Sequence, residues 1–162
     1  MSTTGGFTSS GLLQEELLLT LPVLDVAGAI EIGEIAKSFG TQRSLPIAVE
    51  VRVGDWAVYH ASLPGSTPEN DWWIGRKARV VKLKQHSTMY ERVLAAEKGI
   101  DWHKENNLLD ETHAIHGGGL PLITKDDGFV GVLLISGLPQ VEDHLLGVEV
   151  LTEFLARKGE LL

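Results

Sequence analysis

Two strand–turn–strand patterns, separated by two strongly signalled helices, constrain the fold of this chain more than any other feature. The first runs from Leu45 to Val53, turns at Gly54-Asp55 and resumes from Trp56 to Ala61. The second joins Leu120–Thr124 to Phe129–Ser136 through Asp126-Asp127-Gly128. Short Gly/Asp turns connect antiparallel neighbours, and β-branched residues suit a pleated surface. Parallel strands would need a helical crossover between each pair. The order therefore excludes a parallel Rossmann sheet.

Helix signals fill the remaining chain. Asp25 reads as an N-cap before Ile32, Ile35, Ala36 and Phe39, with Gly40 expected to close that helix. Ser66-Thr67-Pro68-Glu69 combines a hydroxyl cap, a first-turn proline and a glutamate three residues after the serine. That helix is predicted to reach about Gln85, with Trp73, Ile74, Lys77, Ala78 and Val81 on one face. A second capping box, Thr88 to Glu91, predicts a helix ending at Gly99. Pro139 opens a last helix, with Glu142 and Asp143 in its acidic first turn and Val141, Leu145, Val148, Leu151 and Leu155 as its buried stripe. Residues 12–24 read as a short helical turn followed by a strand at Leu17–Leu21, and residues 100–112 as an irregular excursion. The order is helix, hairpin, two helices, hairpin, helix. It predicts an α/β chain: a profilin-like α/β/α layered domain around a central antiparallel sheet.

The length of 162 residues suits one domain with a real core. We expect a flexible amino terminus over residues 1–10 and a single domain over 11–162. The net charge of −8 disfavours a phosphate backbone as partner. Arg76, Lys77, Arg79, Lys82 and Lys84 form the main basic patch, without interleaved aromatics on the same face. Nucleic acid is therefore not an expected ligand. The absence of cysteine excludes disulfides, thiolate nucleophiles and zinc–thiolate or iron–sulfur sites. No basic, apolar leader opens the chain and no stretch approaches about 20 apolar residues, so a cytoplasmic protein without a membrane partner is expected.

Two stretches stand apart from core logic. In His113-Ala114-Ile115-His116-Gly117-Gly118-Gly119, three glycines suit positive φ or close backbone approach. They read either as a phosphate cradle or as a bulge at the hairpin mouth. Ser136-Gly137-Leu138-Pro139 before Glu142-Asp143-His144 reads as a strand-to-helix turn, or as a small anion site that the two carboxylates would oppose. His113, His116 and His144 supply imidazoles suited to iron, zinc or haem. An axial haem ligand could be any of the six histidines, Tyr59, Tyr90 or Met89. Serine-nucleophile chemistry lacks its Gly-x-Ser-x-Gly turn.

Taken in order, Asn70-Asp71-Trp72-Trp73-Ile74-Gly75-Arg76-Lys77, His86-Ser87, Gly117-Gly118-Gly119-Leu120-Pro121, Val130-Gly131 and Ser136-Gly137-Leu138-Pro139 with Glu142-Asp143-His144 resemble the HbpS-like family. That family includes GlcG-type proteins and the carboxy-terminal domain of PduO. The resemblance implies a profilin-like fold, a symmetric homo-oligomer, and, for some relatives, haem as cofactor with haem degradation. It marks as a candidate pocket Trp73, Arg76, Lys77, His116, Gly117, Gly118, Ser136, Gly137, Asp143 and His144, with His116 and His144 as candidate iron ligands.

Three functions stay open at this level. One is a haem- or small-ligand-binding protein, with Trp73 as an apolar wall and Arg76 or Lys77 meeting propionates. Another is a non-enzymatic homo-oligomeric assembly or adaptor module. There, one of Trp72 and Trp73 faces a subunit contact and Arg76 pairs with Asp143 or Glu142. The third is an enzyme using His116 and Asp143 as an acid–base pair.

Overall fold

The computed structural model describes residues 4–159, which contain six helices and four strands. They are α1 (Ser9–Leu18), α2 (Val26–Gln42), β1 (Ala48–Val53), β2 (Trp56–Ser62), α3 (Pro68–Lys84), α4 (Thr88–Lys98), α5 (Trp102–Asn106), β3 (Gly119–Thr124), β4 (Gly128–Ser136) and α6 (Gln140–Arg157). The two predicted hairpins form and join through β1 and β4, giving an antiparallel sheet of order β2-β1-β4-β3.

The layers follow from the strand period of two. Val49 and Val51 of β1 and Leu133 and Ile135 of β4 join Ile32, Ile35 and Ala36 of α2 with Leu146, Val150 and Leu151 of α6. Ala48, Val132 and Leu134 turn the other way, onto Ile74, Ala78 and Val81 of α3. Covering both faces explains why Leu133, Leu134 and Ile135 are all buried, and why β4 reads as a continuous apolar run. Each such side chain contributes about 1.5–3 kcal/mol relative to exposure. The expected α/β/α arrangement is the one that forms.

Several local expectations need correction. Leu17–Leu21 is not a strand: α1 continues to Leu18, and only Leu21 makes a parallel bridge, to Thr124. Thr8 caps α1 through its hydroxyl to the Gly11 amide, and Leu12 packs on Met89 and Val93 of α4. Of the stretch 1–10, residues 4–10 are described. Phe7 lies edge-on to His144, and Ser9 donates to Glu97.

Gly40 does not end α2. It sits inside the helix, where a Cβ would meet Leu63 at 2.4 Å. The α3 cap is Thr67, whose amide donates to the Asn70 side chain at 2.9 Å, rather than Ser66 with Glu69. Ser87 caps α4 by accepting from the Tyr90 amide, which displaces the predicted Thr88–Glu91 box. Glu91 instead accepts from the indole of Trp102 at 2.9 Å. That bond accompanies burial of Trp102, and Asp101 caps the short α5 inside the stretch expected to be irregular.

Candidate functional site

The first turns of α3 and α6 meet where β4 ends. Ser136, the last β4 residue, accepts at 3.3 Å from the Asn70 side chain of α3. Gly137 then takes φ +143°, and a Cβ there would lie 2.3 Å from the Pro46 carbonyl oxygen. Only glycine lets the chain turn so close to its neighbour. Asp143 of α6 reaches back over this turn and accepts from the Leu138 amide at 3.1 Å and from the Gly137 amide.

The same carboxylate accepts at 3.3 Å from Lys77 of α3, whose ammonium also donates to the Ile135 carbonyl at 2.9 Å. Both members of the pair are buried. Gly118, at φ +122°, passes directly over them: a Cβ would lie 2.8 Å from Lys77 Nζ and 2.3 Å from the Ile135 oxygen. The glycine run therefore serves close backbone approach. It does not offer a phosphate cradle, because the Gly117 amide already donates to Gln140 and the Gly119 amide to Thr88.

Above the pair opens a cavity of about 240 Å³. Trp73 and His116 form one wall, packed edge to face with ring centres 4.5 Å apart. Asn70, Ser136, Leu138 and Gln140 complete it, with the buried Lys77 and Asp143 at its base. A larger cavity of about 360 Å³ lies between α3 and the ends of β1 and β4, over Ala78, Phe129 and Val132. Its cations Arg52 and Lys82 are already paired with Glu50 and Asp55, and Arg79 donates to the Thr112 carbonyl at 3.0 Å. We therefore place the candidate site at the smaller cavity.

Burial and charge shift the groups of that site. Burial pushes the Asp143 carboxyl up to about 6, against the attraction of Lys77 and the amide bonds it accepts. Burial likewise lowers the Lys77 ammonium, so desolvation of the pair outweighs its mutual attraction. His116 falls to about 4, first through burial and then through the nearby Arg92 and Lys77 charges. At neutral pH His116 is an uncharged imidazole in the cavity that Asp143 also lines. Clustered shifts of this kind in a cavity make it the candidate functional site.

The family pattern described as haem degrading protein, HbpS-like, matches residues 24–152. The chain belongs to the HbpS-like family. It is 40% identical over 143 residues to a UPF0303 protein of Streptomyces avermitilis, covering 88% of each chain. The crystal structure of Ybr137w protein is similar at TM-score 0.83 and 25% identity, over 94% of this chain and 90% of that one. A PduOC–haem complex matches at TM-score 0.68 and 16% identity, over 80% of this chain and 94% of that one, which is a likeness of fold.

In this HbpS-like domain the structure brings Trp73, Lys77, His116, Ser136, Gly137 and Asp143 to one cavity. Gly117 and Gly118 lie against its supports rather than on its wall. Arg76 is buried beneath the tryptophans, its guanidinium 4.2 Å from the Trp72 ring centre and 4.1 Å from that of Trp73. Its ion-pair partner is Asp110 at 2.8 Å, whereas Asp143 belongs to Lys77 and is not the partner expected for Arg76.

His144 faces away from the cavity, toward α1, where it bonds Glu15 at 2.7 Å. The two candidate imidazoles therefore do not share a site. Among the described residues, no three His, Asp or Glu side chains converge as a metal site. His113 is held at Thr112, with its carbonyl accepting from His103.

Asn70, Leu138 and Gln140 line the cavity but were not singled out from the sequence as site residues. The first belongs to the α3 cap and the other two flank Pro139, so each carries a local role that masks a site role. Asn70 and Leu138 belong to the family motifs, and Gln140 directly follows one of them.

Proposed function

We propose that the chain is a haem-binding protein whose site is the Trp73–His116 cavity, completed by a second copy of the chain. The observation that carries this reading is His116, a half-buried imidazole on the cavity wall packed against Trp73, which its burial and cationic neighbours keep neutral, with a lone pair for iron. The family description and the likeness to a PduOC–haem complex support it.

The residues fit the group in chemistry. His116 would hold the iron, Trp73 would offer an aromatic wall, and Lys77, paired with Asp143, would face the propionates. Haem, when bound, brings iron-centred redox chemistry. The volume of about 240 Å³ lies below the roughly 300–1,000 Å³ of pockets that enclose a drug-sized ligand. One copy therefore encloses too little of a macrocycle, and the remaining cover is assigned to the homo-oligomer. A cytoplasmic setting, without nucleic-acid or membrane partners, is part of this reading. No helix among the described residues is long and apolar enough to cross a membrane.

Hemin titration tests it. We expect a saturable Soret shift that weakens at least about tenfold in His116→Ala and is unchanged in His144→Ala. No saturable shift, or equal affinity in His116→Ala, would refute the site. A second reading, an assembly module without a ligand, draws on Trp72, which is 49% exposed beside the buried Arg76. It predicts a stable oligomer with no hemin affinity.

A further inference from the structure

A second group of polar side chains lies on the α3 face of the sheet, at the β2 edge. Ala48 of β1 pairs with Ser136 of β4 on one side and with Ser62 of β2 on the other. Two residues further along β1, Glu50 pairs with His60. The strand period of two therefore sends Glu50, His60 and Ser62 to one face. There His60 Nδ1 lies 2.9 Å from Glu50 Oε1, and its Nε2 lies 3.2 Å from Ser62 Oγ. Arg52 donates to the other Glu50 oxygen, and an Asp71 oxygen of α3 stands 3.4 Å from Nε2. Glu50 is buried, whereas His60 and Ser62 are exposed. A carboxylate only accepts, so Glu50 holds the ring proton on Nδ1 and leaves the Nε2 lone pair for the Ser62 hydroxyl. Hydroxyl to Nε2 and Nδ1 to carboxylate is the connectivity that activates a serine, whatever the fold that carries it.

We propose that Ser62 is a nucleophile that accepts acyl groups, with His60 as its general base and Glu50 and Asp71 as positioning residues. Ser62 Oγ bonds to the carbonyl carbon of an ester while its proton passes to His60 Nε2. Asp71 is the counter-charge for the imidazolium so formed. The bond to the leaving oxygen then breaks, and the departing alcohol carries that proton away. Water, deprotonated by the same nitrogen, cleaves the acyl–serine ester, which releases the acid and returns the proton to Ser62. Because Ser62 and His60 face solvent, the substrate class is a small activated ester, reached without an enclosing pocket. Ser62 lies two strands from Ser136 of the Trp73–His116 cavity, so this activity stands apart from the haem reading.

The test uses the full chain with two probes. Diisopropyl fluorophosphate bonds to an activated serine oxygen with loss of fluoride, and 4-nitrophenyl acetate reports turnover. Ser66, whose hydroxyl donates to the Leu63 carbonyl at 2.6 Å, is the internal reference. We expect Ser62 to be labelled at least about a hundredfold faster than Ser66, read by peptide mass spectrometry, the factor that general-base assistance supplies. Nitrophenol release should fall by a similar factor in Ser62→Ala, a change at an exposed strand end, and in His60→Gln. Glu50→Gln should slow both reactions and move the His60 ring proton from Nδ1 to Nε2. The ring-nitrogen chemical shifts report that move, which a merely structural loss would not produce. Equal labelling of Ser62 and Ser66, or nitrophenol release unchanged in Ser62→Ala, overturns the proposal. So does a His60 ring that still carries both protons at about pH 8, because its Nε2 then has no lone pair to act as base.

Discussion

His116 and His144 are both interior imidazoles, and their neighbours give them different work. His144 is completely buried, bonded through Nε2 to Glu15, flanked by the Phe7 edge, and its Nδ1 has no partner among the described residues. It anchors the amino-terminal helix. His116 opens to the cavity, and burial together with Arg92 and Lys77 holds its pKa near 4, below the usual 6.5. A depressed folded-state pKa stabilises fully above the unfolded value and is lost as pH falls through the folded one. Wild type should therefore lose stability relative to His116→Asn between about pH 6.5 and pH 4, measured as the difference in thermal midpoints. A difference that stays constant over that window would show that His116 protonates freely in the folded chain.

At the level of elements, the Lys77–Asp143 pair is the joint that ties α3, β4 and α6 together. Removing one member leaves the other buried and unpaired, so Asp143→Ala should cost about 3–5 kcal/mol in urea unfolding. Replacing both with apolar side chains, as in Lys77→Met with Asp143→Leu, should cost clearly less than the sum of the single changes. Additive losses would mean that the two groups act independently. α1 is held in a similar way from outside the sheet. Glu15 meets His144, and Glu16 accepts from His86 and from the Ser87 amide.

For the whole molecule, the sandwich leaves one tryptophan of the adjacent pair outside. Trp73 closes the cavity with His116, while Trp72 remains 49% exposed beside Trp73 and the Arg76 guanidinium. A large aromatic fixed in place by a buried arginine is a low-entropy anchor of the kind found at interface centres. In the proposed homo-oligomer, Trp72→Ala should cost at least about 2 kcal/mol of association, seen by light scattering as a shift to smaller species. A wild-type chain that is monomeric at all concentrations would remove the second copy from the haem site.

Much of the architecture was legible because its signals are local. Turn residues at Gly54-Asp55 and Asp126-Asp127-Gly128, the β-branched runs beside them and the proline-marked helix starts act over a few residues. They determined two hairpins, the helices between and after them, and hence the layered α/β class. The family motifs pointed to most of the side chains that now share a cavity. What only the tertiary structure decided depends on pairing β1 with β4 and on which partner wins a buried group. Folding sets Lys77 beside Asp143, 66 positions apart in sequence, and so assigns Arg76 to Asp110 instead. It turns His144 toward α1, buries Trp102 against Glu91 in a stretch without periodicity, and passes the capping role from Thr88 to Ser87. A buried polar group takes the partner that three dimensions put within reach, and no short window of sequence contains that partner.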